Sequence, residues 1–384
     1  MKKPRFYIIA AVMSITICAI ALTACRQGSS GEGIPNEYAI AANEPTNSAG
    51  YNDTSARYAY DRADDENAVI TESSGAYGYA YNVSGESYAN TEITALATTL
   101  KAHEAVLQVV SIDIPSQFYE GLPEYLASMG LEFRGEVIQY RIRYVSDAYE
   151  VIGYVAAPVD FMYYRYPILI YNRGGNRTFG SLREPGAVAE LAAYGFIVMG
   201  SQYRGVAGGT GREQYGGDDI NDVIRLIDIS ESFDFAQQGG VYMYGASRGG
   251  MMTYIATRID TRIRAAAVWA AISDTITGFH EREPAMQRVY IDLIGGPPED
   301  QWLYEYERRS AVLWANEINT PLLIGHGGEA DWRVYTQHSI NMSEALTRYG
   351  IPHRLSIFPD ADHYWAEGFH AEMLEWFRMH PIEE

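Results

Sequence analysis

The sequence predicts an α/β protein, in which a mostly parallel sheet has helices on both faces. Short apolar runs recur along the chain, and segments with the 3.6-residue period of a helix separate them. Residues 167–171, for example, precede a helical stretch at 187–194. Continuous apolar runs of this length are typical of strands that are buried on both faces. The other runs lie at residues 196–200, 241–244, 264–270, 320–325 and 353–358.

Two earlier segments predict antiparallel strands. Residues 132–144 and 149–157 alternate between apolar and polar side chains, which is the period of a strand with one face on a core. These strands fit the meandering edge at which such a sheet begins. In the parallel part of the sheet, functional residues are expected at the carboxyl ends of the strands.

A Gly-x-Ser-x-Gly pattern, Gly245-Ala-Ser247-Arg-Gly249, follows the apolar run at 241–244. This segment is typical of a buried strand that turns sharply into a helix. A serine at such a turn projects its hydroxyl into a cleft, and the flanking glycines allow the tight backbone turn. Because the pattern also arises by chance, a nucleophilic serine must be supported by a base and an orienting acid.

Both partners have candidates downstream of the serine. Asp331 follows the run at 320–325, and His363 follows the run at 353–358. The order Ser, Asp, His is that of α/β-hydrolases. We therefore expect an α/β-hydrolase fold, a mostly parallel sheet with helices on both faces and a cap insertion, with Ser247, Asp331 and His363 as its catalytic residues.

Other acids and histidines are weaker candidates. Glu329 is the rival acid, whereas Asp362 is adjacent to the base and would struggle to reach its Nδ1–H. His326 precedes the acid and is expected to shape its loop. Four further histidines lie in helical stretches, at the start of a strand or at the C-terminus: His338, His370, His353 and His380.

Several segments carry a family resemblance. The segment Gly245-Ala-Ser-Arg-Gly-Gly250, with its second glycine after the pentapeptide, looks like the nucleophile signature of the prolyl oligopeptidase (S9) serine peptidases, and Asp331-Trp-Arg-Val334 resembles their acid segment. The resemblance covers roughly residues 130–384. It implies the fold and the catalytic domain of that family, with Ser247 as nucleophile, Asp331 as acid and His363 as base. Further similar segments are Gln202-Tyr-Arg-Gly205 with the glycines and helix after it, residues 306–327, and Asp360-Ala-Asp-His363.

The sequence departs from this family at the oxyanion loop. Arg173 stands before the glycine pair, where the family usually places His or Tyr. The backbone N–H groups of Gly174 and Arg248 remain the expected oxyanion donors. Arg173 itself is a possible contact for the oxyanion or for a substrate carboxylate, with pairing to an acidic loop as the alternative. The acid loop is also one residue longer than usual, and the chain has no room for the β-propeller of the family.

The N-terminal residues predict export and lipid anchoring. Residues 1–24 have a basic start and an apolar core of signal-peptide length. Cys25 follows Leu22-Thr-Ala24, which looks like a bacterial lipobox and predicts lipidation of Cys25 at the extracytoplasmic face of the cell membrane. An uncleaved membrane anchor and an ordinary secretory signal are the alternatives. Residues 25–95 have the composition of a disordered acidic tether, whose recurring tyrosines are interpreted as part of a plain spacer, with binding to cell-wall polymer or a partner as the alternative.

Residues 96–384 suit one catalytic domain. The segment at about 273–306 fits no strand–helix repeat, and we interpret it as a cap over the cleft. Its aromatic side chains either line a substrate pocket or form a small core within the cap: Phe279, Tyr290, Trp302 and Tyr304.

Charge and motif content exclude several function classes. The net charge of −20, with no basic cluster, argues against nucleic-acid binding and modestly favours cationic substrates. No metal-ligand spacing or phosphate-cradling loop occurs in the sequence, so neither a metal nor another cofactor is expected.

The sequence therefore predicts a serine hydrolase, and within that class a peptidase that forms an acyl-enzyme on a small peptide. A carboxylesterase or deacylase on the same fold is the alternative, because nothing in the chain supplies the amino-terminus anchor of the family's exopeptidases. An inactive binding lipoprotein is the alternative from another class.

Overall fold

The computed structural model describes residues 88–131, 133, 135–364, 366 and 368–382. The predicted signal segment, Cys25 and nearly all of the predicted tether lie outside the described residues. The first described element, helix α1, spans Tyr88–Ala102 and so begins before the predicted domain boundary at residue 96. Its side chains Leu96 and Leu100 are fully buried in the core, so this helix is an integral part of the folded domain.

The described residues form one nine-stranded sheet with the spatial order β1-β2-β3-β5-β4-β6-β7-β8-β9. Strands β1, β2, β3 and β5 pair antiparallel in turn, and every other pairing is parallel. The strands are β1 (Val106–Ile112), β2 (Val137–Ser146), β3 (Tyr149–Pro158), β4 (Ile168–Asn172), β5 (Ile197–Ser201), β6 (Val241–Ala246), β7 (Ile263–Trp269), β8 (Leu322–Gly327) and β9 (His353–Phe358). The mostly parallel α/β sheet predicted from the sequence is thereby confirmed.

Helices cover both faces of this sheet, since the core divides into two clusters. Along β4, Ile168 and Ile170 enter one cluster while Leu169 and Tyr171 enter the other, so the strand is apolar at each of these successive positions. Helices α1, α4, α5 and α9 pack in the first cluster, and α2, α3 and α10 pack in the second. The helices after α1 are α2 (Leu122–Ser128), α3 (Ala187–Ala193), α4 (Asn221–Ser230), α5 (Arg248–Ile259), α6 (Thr275–Glu281), α7 (Pro284–Ile294), α8 (Leu303–Glu307), α9 (Gln337–Tyr349) and α10 (Phe369–Met379).

The segment between β7 and β8 contains α6, α7 and α8, which correspond to the predicted cap. The rings of Phe279, Tyr290 and Tyr306 pack against one another with centroid separations of 5.8–6.2 Å. Phe279 and Tyr290 thus belong to the core of the cap rather than to a pocket wall, while Tyr304 is exposed to solvent.

His370 on α10 makes the folding stability depend on pH. It is buried, and its Nδ1 lies 3.2 Å from the Tyr194 hydroxyl and 3.3 Å from the Tyr125 hydroxyl. Burial lowers the pKa of His370 from 6.5 to about 4. The unfolded chain therefore binds the extra proton more readily, and stability present above pH 6.5 is lost as the pH falls toward 4.

We expect the suppressed protonation of His370 to lower the free energy of unfolding by about 2 kcal/mol when the pH falls from 7.5 to 5. Urea unfolding at the two pH values measures this loss, and His370→Gln is expected to remove most of it. An equal pH dependence in the wild type and the variant would contradict the assignment.

Candidate active site

Ser247 lies at the turn between β6 and α5. Its backbone has φ 56° and ψ −123°, a conformation that is strained for a residue with a Cβ atom. The two glycines of the motif allow the close approach of neighbouring backbone. A Cβ at Gly245 would collide with the carbonyl of Gly249, and a Cβ at Gly249 would collide with the carbonyl of Asn172. The Gly-x-Ser-x-Gly pattern is thus required by the local backbone geometry.

The loops after β8 and β9 bring Asp331 and His363 together. Nδ1 of His363 lies 3.0 Å from each carboxylate oxygen of Asp331. The His363 loop is fixed in turn by the indole N–H of Trp269, which donates to the His363 carbonyl at 2.9 Å. Asp331 is buried, whereas the side chain of His363 remains partly exposed, as a base that meets substrate must be.

Three further donors hold the Asp331 carboxylate. The backbone N–H groups of Arg333 and Val334 each donate to Oδ1 at 3.0 Å, and Nε2 of His326 lies 3.2 Å from Oδ2. Burial alone would raise the pKa of Asp331, but hydrogen bonds from His326 and His363 hold that pKa well below its ordinary value. Asp331 is consequently ionised at neutral pH. The rival acid Glu329 is exposed on the same loop.

His326 does more than shape the acid loop. Its imidazole is buried between Asp331 on one side and the Ser339 hydroxyl on the other, at 2.7 Å from Nδ1. With its proton on Nε2, the ring donates toward Asp331 and the Val334 carbonyl and accepts from Ser339. The sequence placed His326 near the acid but gave no sign of this direct contact.

Ser247 and His363 line the same cavity, which we call the catalytic cavity and which has a volume of about 80 Å³. The glycine loop after β4 forms another wall, where a Cβ added at Gly174 would lie 3.3 Å from the Cβ of Ser247. The cap side contributes residues around α6 and α7, including Ile272, Arg282 and Met286. The backbone N–H of Arg248, at the first position of α5, has no partner within its own helix. The predicted oxyanion donors therefore lie beside the serine.

The Arg173 side chain is directed away from the catalytic cavity. It is fully buried, and its guanidinium donates to the carbonyls of Gly174, Arg177 and Gln202 at 2.8–3.2 Å while lying over the Tyr203 ring. Arg173 thus ties the oxyanion loop to the strand end after β5. The structure gives no support to the predicted side-chain contact with an oxyanion or a substrate carboxylate, because these hydrogen bonds occupy the guanidinium.

Beside Ser247 lies a buried ionic cluster formed by Arg248, Asp219 and Glu213. The Arg248 side chain is 1% exposed, donates to Asp219 at 2.9 Å and forms an ion pair with Glu213. It also donates to the Gly175 carbonyl at 3.2 Å, so it joins helix α5 to the oxyanion loop. Burial lowers the pKa of Arg248 to about 9, which leaves the group charged at neutral pH. The sequence did not reveal this cluster, because Glu213 and Asp219 are distant from Arg248 along the chain.

We expect Arg248→Met to cost about 3–5 kcal/mol of unfolding free energy, because two buried carboxylates would lose their shared cation. Arg258→Met is the matched control on the same helix. Its ion pair with Glu317 is solvent-exposed, so the expected cost is about 0–1 kcal/mol. Urea unfolding of both variants measures the difference. Similar losses in the two variants would show that the buried cluster does not stabilise the turn at Ser247.

Within the described residues, no helix is long and apolar enough to cross a membrane. In the same part of the chain, no group of three or more His, Cys, Asp or Glu side chains could hold a metal ion.

Comparison with known proteins identifies the family. The sequence model of the prolyl oligopeptidase family matches residues 187–380, which is half of the chain. The chain is 32% identical over 228 residues to the uncharacterized peptidase YtmA of Bacillus subtilis, which covers 59% of this chain and 86% of that protein. It spans 39% or less of the length of the longer curated relatives that it matches.

Solved structures share the fold at lower sequence identity. Acylaminoacyl peptidase of Pyrococcus horikoshii superposes with a TM-score of 0.55 at 18% identity, over 65% of this chain and 43% of that one. Acetyl xylan esterase from Paenibacillus sp. R4 superposes with a TM-score of 0.54 at 14% identity, over 79% of this chain and 98% of that one. The α/β-hydrolase fold is therefore confirmed, and the chain belongs to the prolyl oligopeptidase family of serine hydrolases.

Proposed function

We propose that this protein is a serine peptidase in which Ser247, His363 and Asp331 form the catalytic triad. The observation that carries the proposal is the convergence of three loops, which follow β6, β8 and β9. They place Ser247 on a strained turn, hydrogen-bond His363 to an ionised Asp331, and direct Ser247 and His363 to one cavity. This is the arrangement that activates a serine hydroxyl.

The proposed reaction proceeds in two halves through an acyl-enzyme. Ser247 Oγ forms a bond to the substrate carbonyl carbon while His363 takes its proton, and the backbone N–H groups of Gly174 and Arg248 hold the oxyanion. The bond to the leaving group then breaks, and His363 returns the proton to the departing atom. Water then attacks the carbonyl carbon of the acyl-enzyme while His363 takes a proton from it. The bond to Ser247 Oγ breaks, and His363 returns the proton to that oxygen. Asp331 keeps the His363 proton on Nδ1 and stabilises the imidazolium.

The charges in the catalytic cavity favour an acyl group that carries carbonyl or carboxylate oxygens. Two arginines, Arg282 and Arg333, line this cavity, and none of its described lining residues is a carboxylate. Nε of Arg282 donates a hydrogen bond to Oε2 of Glu283 at 3.1 Å. Nε of Arg333, in contrast, is buried without a hydrogen-bond partner among the described residues. The ring of Trp332 lies 4.8 Å from the Arg333 guanidinium and helps to fix it. This local charge is opposite to the preference for cationic substrates that the net charge suggested.

An esterase or deacylase is the second candidate. The likeness to an acetyl xylan esterase over nearly the whole of that enzyme favours it, since the peptidase relatives other than YtmA are much longer than this chain. The same serine, base and oxyanion donors serve both reactions. The two activities differ in the leaving group that His363 must protonate.

Initial rates on a matched pair of substrates test the proposal. The purified full chain is given one peptidyl group either as an anilide or as an aryl ester, with Ser247→Ala in parallel. A peptidase is expected to cleave the anilide within a few orders of magnitude of the ester, and only when Ser247 is present. Ser247-dependent ester turnover without anilide cleavage would establish the esterase instead. If neither substrate turned over and serine-directed probes failed to label the protein, it would be an inactive binding lipoprotein.

We further propose that the protein is lipid-anchored at Cys25 on the extracytoplasmic face of the bacterial membrane. The proposal is supported by the lipobox-like sequence alone, which lies outside the described residues. A fatty-acid analogue fed to cells that express the chain should label the wild type and not Cys25→Ala. Label in both proteins would contradict anchoring at this cysteine.

A further inference from the structure

A second cavity, here called the chamber, is lined in part by the chain neighbours of Ser247 and His363. It has a volume of about 370 Å³, more than four times that of the catalytic cavity. Its walls come from strands β4 and β6, helices α3 and α10, the loop before α3 and the segment at 117–122. The principal wall residues are Phe118, Tyr171, Leu182, Leu191, Tyr244 and His370.

The chamber adjoins the catalytic cavity. Gly180, Ala246 and Tyr364 line both spaces. Ala246 directly precedes the nucleophile Ser247, and Tyr364 directly follows the base His363. The two spaces therefore lie side by side next to Ser247 and His363, one residue along the chain from each.

The chamber is mainly apolar and has no excess charge. Its walls are aromatic and aliphatic, and its charged lining residues are one arginine and one carboxylate, Arg183 and Glu190. Glu190 accepts from the Tyr194 hydroxyl at 3.0 Å. Burial lowers the pKa of His370 to about 4, so this wall residue is uncharged at neutral pH. The chamber thus contrasts with the catalytic cavity, which carries two arginines.

The size of the catalytic cavity limits what it can hold. A volume of 80 Å³ accommodates only a few water-sized groups. The chamber, at about 370 Å³, offers more room for a ring-sized part of a substrate than the catalytic cavity does. Tyr364 lies next to His363, which would deliver the proton to the departing atom, and this adjacency favours the leaving-group side as the place of the chamber.

We propose that the chamber binds an uncharged aromatic or aliphatic group on the leaving-group side of the scissile bond. The enzyme accordingly selects substrates with an apolar, ring-sized leaving group. This inference rests on the proposed role of Ser247, but it holds for an amide and for an ester substrate alike.

Two acetyl esters that differ only in their leaving group test the chamber. Phenyl acetate and 2-naphthyl acetate present the same acyl group and release aryl alcohols of similar basicity. We expect the full chain to prefer the naphthyl ester about 10-fold in kcat/KM, because the second ring is buried. Ala187→Phe, at the start of α3, places a ring in the chamber and is expected to abolish that preference.

Ala193→Phe is the matched control, at the other end of α3 and outside the chamber lining. It should keep the naphthyl preference. Ser181→Phe fills the chamber from the loop side, and it replaces Ala187→Phe if that variant does not show a cooperative thermal unfolding transition. Free 2-naphthol should inhibit phenyl acetate hydrolysis competitively in the wild type and in Ala193→Phe, and more weakly once the chamber is filled.

The outcomes separate the two proposals. If neither ester shows Ser247-dependent turnover, the proposed catalytic role fails and the inference falls with it. If both esters turn over equally, or if Ala193→Phe loses the preference as fully as Ala187→Phe, the catalytic role stands and the chamber assignment is wrong. A preference that follows ring size in the acyl group, tested with phenyl esters of acetate and of 2-naphthoate, would also overturn it.

Discussion

Replacing Ser247 with alanine is expected to lower kcat by about 10⁶-fold, the largest effect of any single substitution in this protein. The variant would lose the only atom that can form the acyl-enzyme, while the oxyanion donors and the cavity remain. Residual turnover would then come from binding and from the oxyanion donors alone. Because serine, base and acid act as a unit, adding Asp331→Asn to Ser247→Ala should cost little more.

The kcat of Ser247→Ala is measured on one substrate and compared with the kcat of Ser232→Ala on the same substrate. Ser232 follows α4, and its hydroxyl donates to the Ile229 carbonyl at 2.7 Å, so its loss removes a hydroxyl of similar burial at a distance from the site. Ser232→Ala should retain wild-type kcat. A Ser247→Ala enzyme that kept even one hundredth of the activity would show that another group performs the attack.

The sequence predicted the strands around the active site well, for a physical reason. Strands such as β4 and β6 send alternate side chains into two different apolar clusters, so nearly every position must be apolar and the run is visible without structural information. The turn at Ser247 was equally visible, since close backbone contacts exclude any side chain at Gly245 and Gly249. A constraint that acts on neighbouring residues, such as burial of a strand or a tight turn, is therefore recognisable in the amino-acid sequence.

Long-range contacts leave no such pattern. The pairing of Arg248 with Asp219 and Glu213, and the contact of His326 with Asp331, depend on how distant loops meet in the folded chain. The prediction for Arg173 shows the same limit. The sequence reveals an arginine beside the oxyanion loop, but only the fold shows that carbonyl groups of the protein itself occupy its guanidinium. Strand β1 was not predicted, because it is an edge strand with several exposed positions.

The Asp331→Asn variant is expected to lose about four orders of magnitude in kcat while keeping its fold. The hydrogen bonds around Asp331 give the reason. The N–H groups of Arg333 and Val334 donate to Oδ1, so the carbonyl oxygen of an asparagine would take that position. Its NH₂ group would then face Nδ1 of His363, where the carboxylate now accepts a proton. His363 would be driven to carry its proton on Nε2 and could no longer accept the proton of Ser247.

Glu329→Gln is the matched control, since it neutralises the rival acid two residues away on the same loop. Glu329 is exposed, so this variant should retain wild-type kcat and stability. Rates and thermal unfolding of both variants decide the assignment. A large loss in Glu329→Gln with little loss in Asp331→Asn would identify Glu329 as the acid. Loss of folding in Asp331→Asn is not expected, because the amide has the shape of the carboxylate and keeps the two backbone hydrogen bonds at Oδ1. The NH₂ group would also face Nε2 of His326, so a small fall in melting temperature is expected. A fall in kcat far larger than this stability loss accounts for reports the changed protonation of His363.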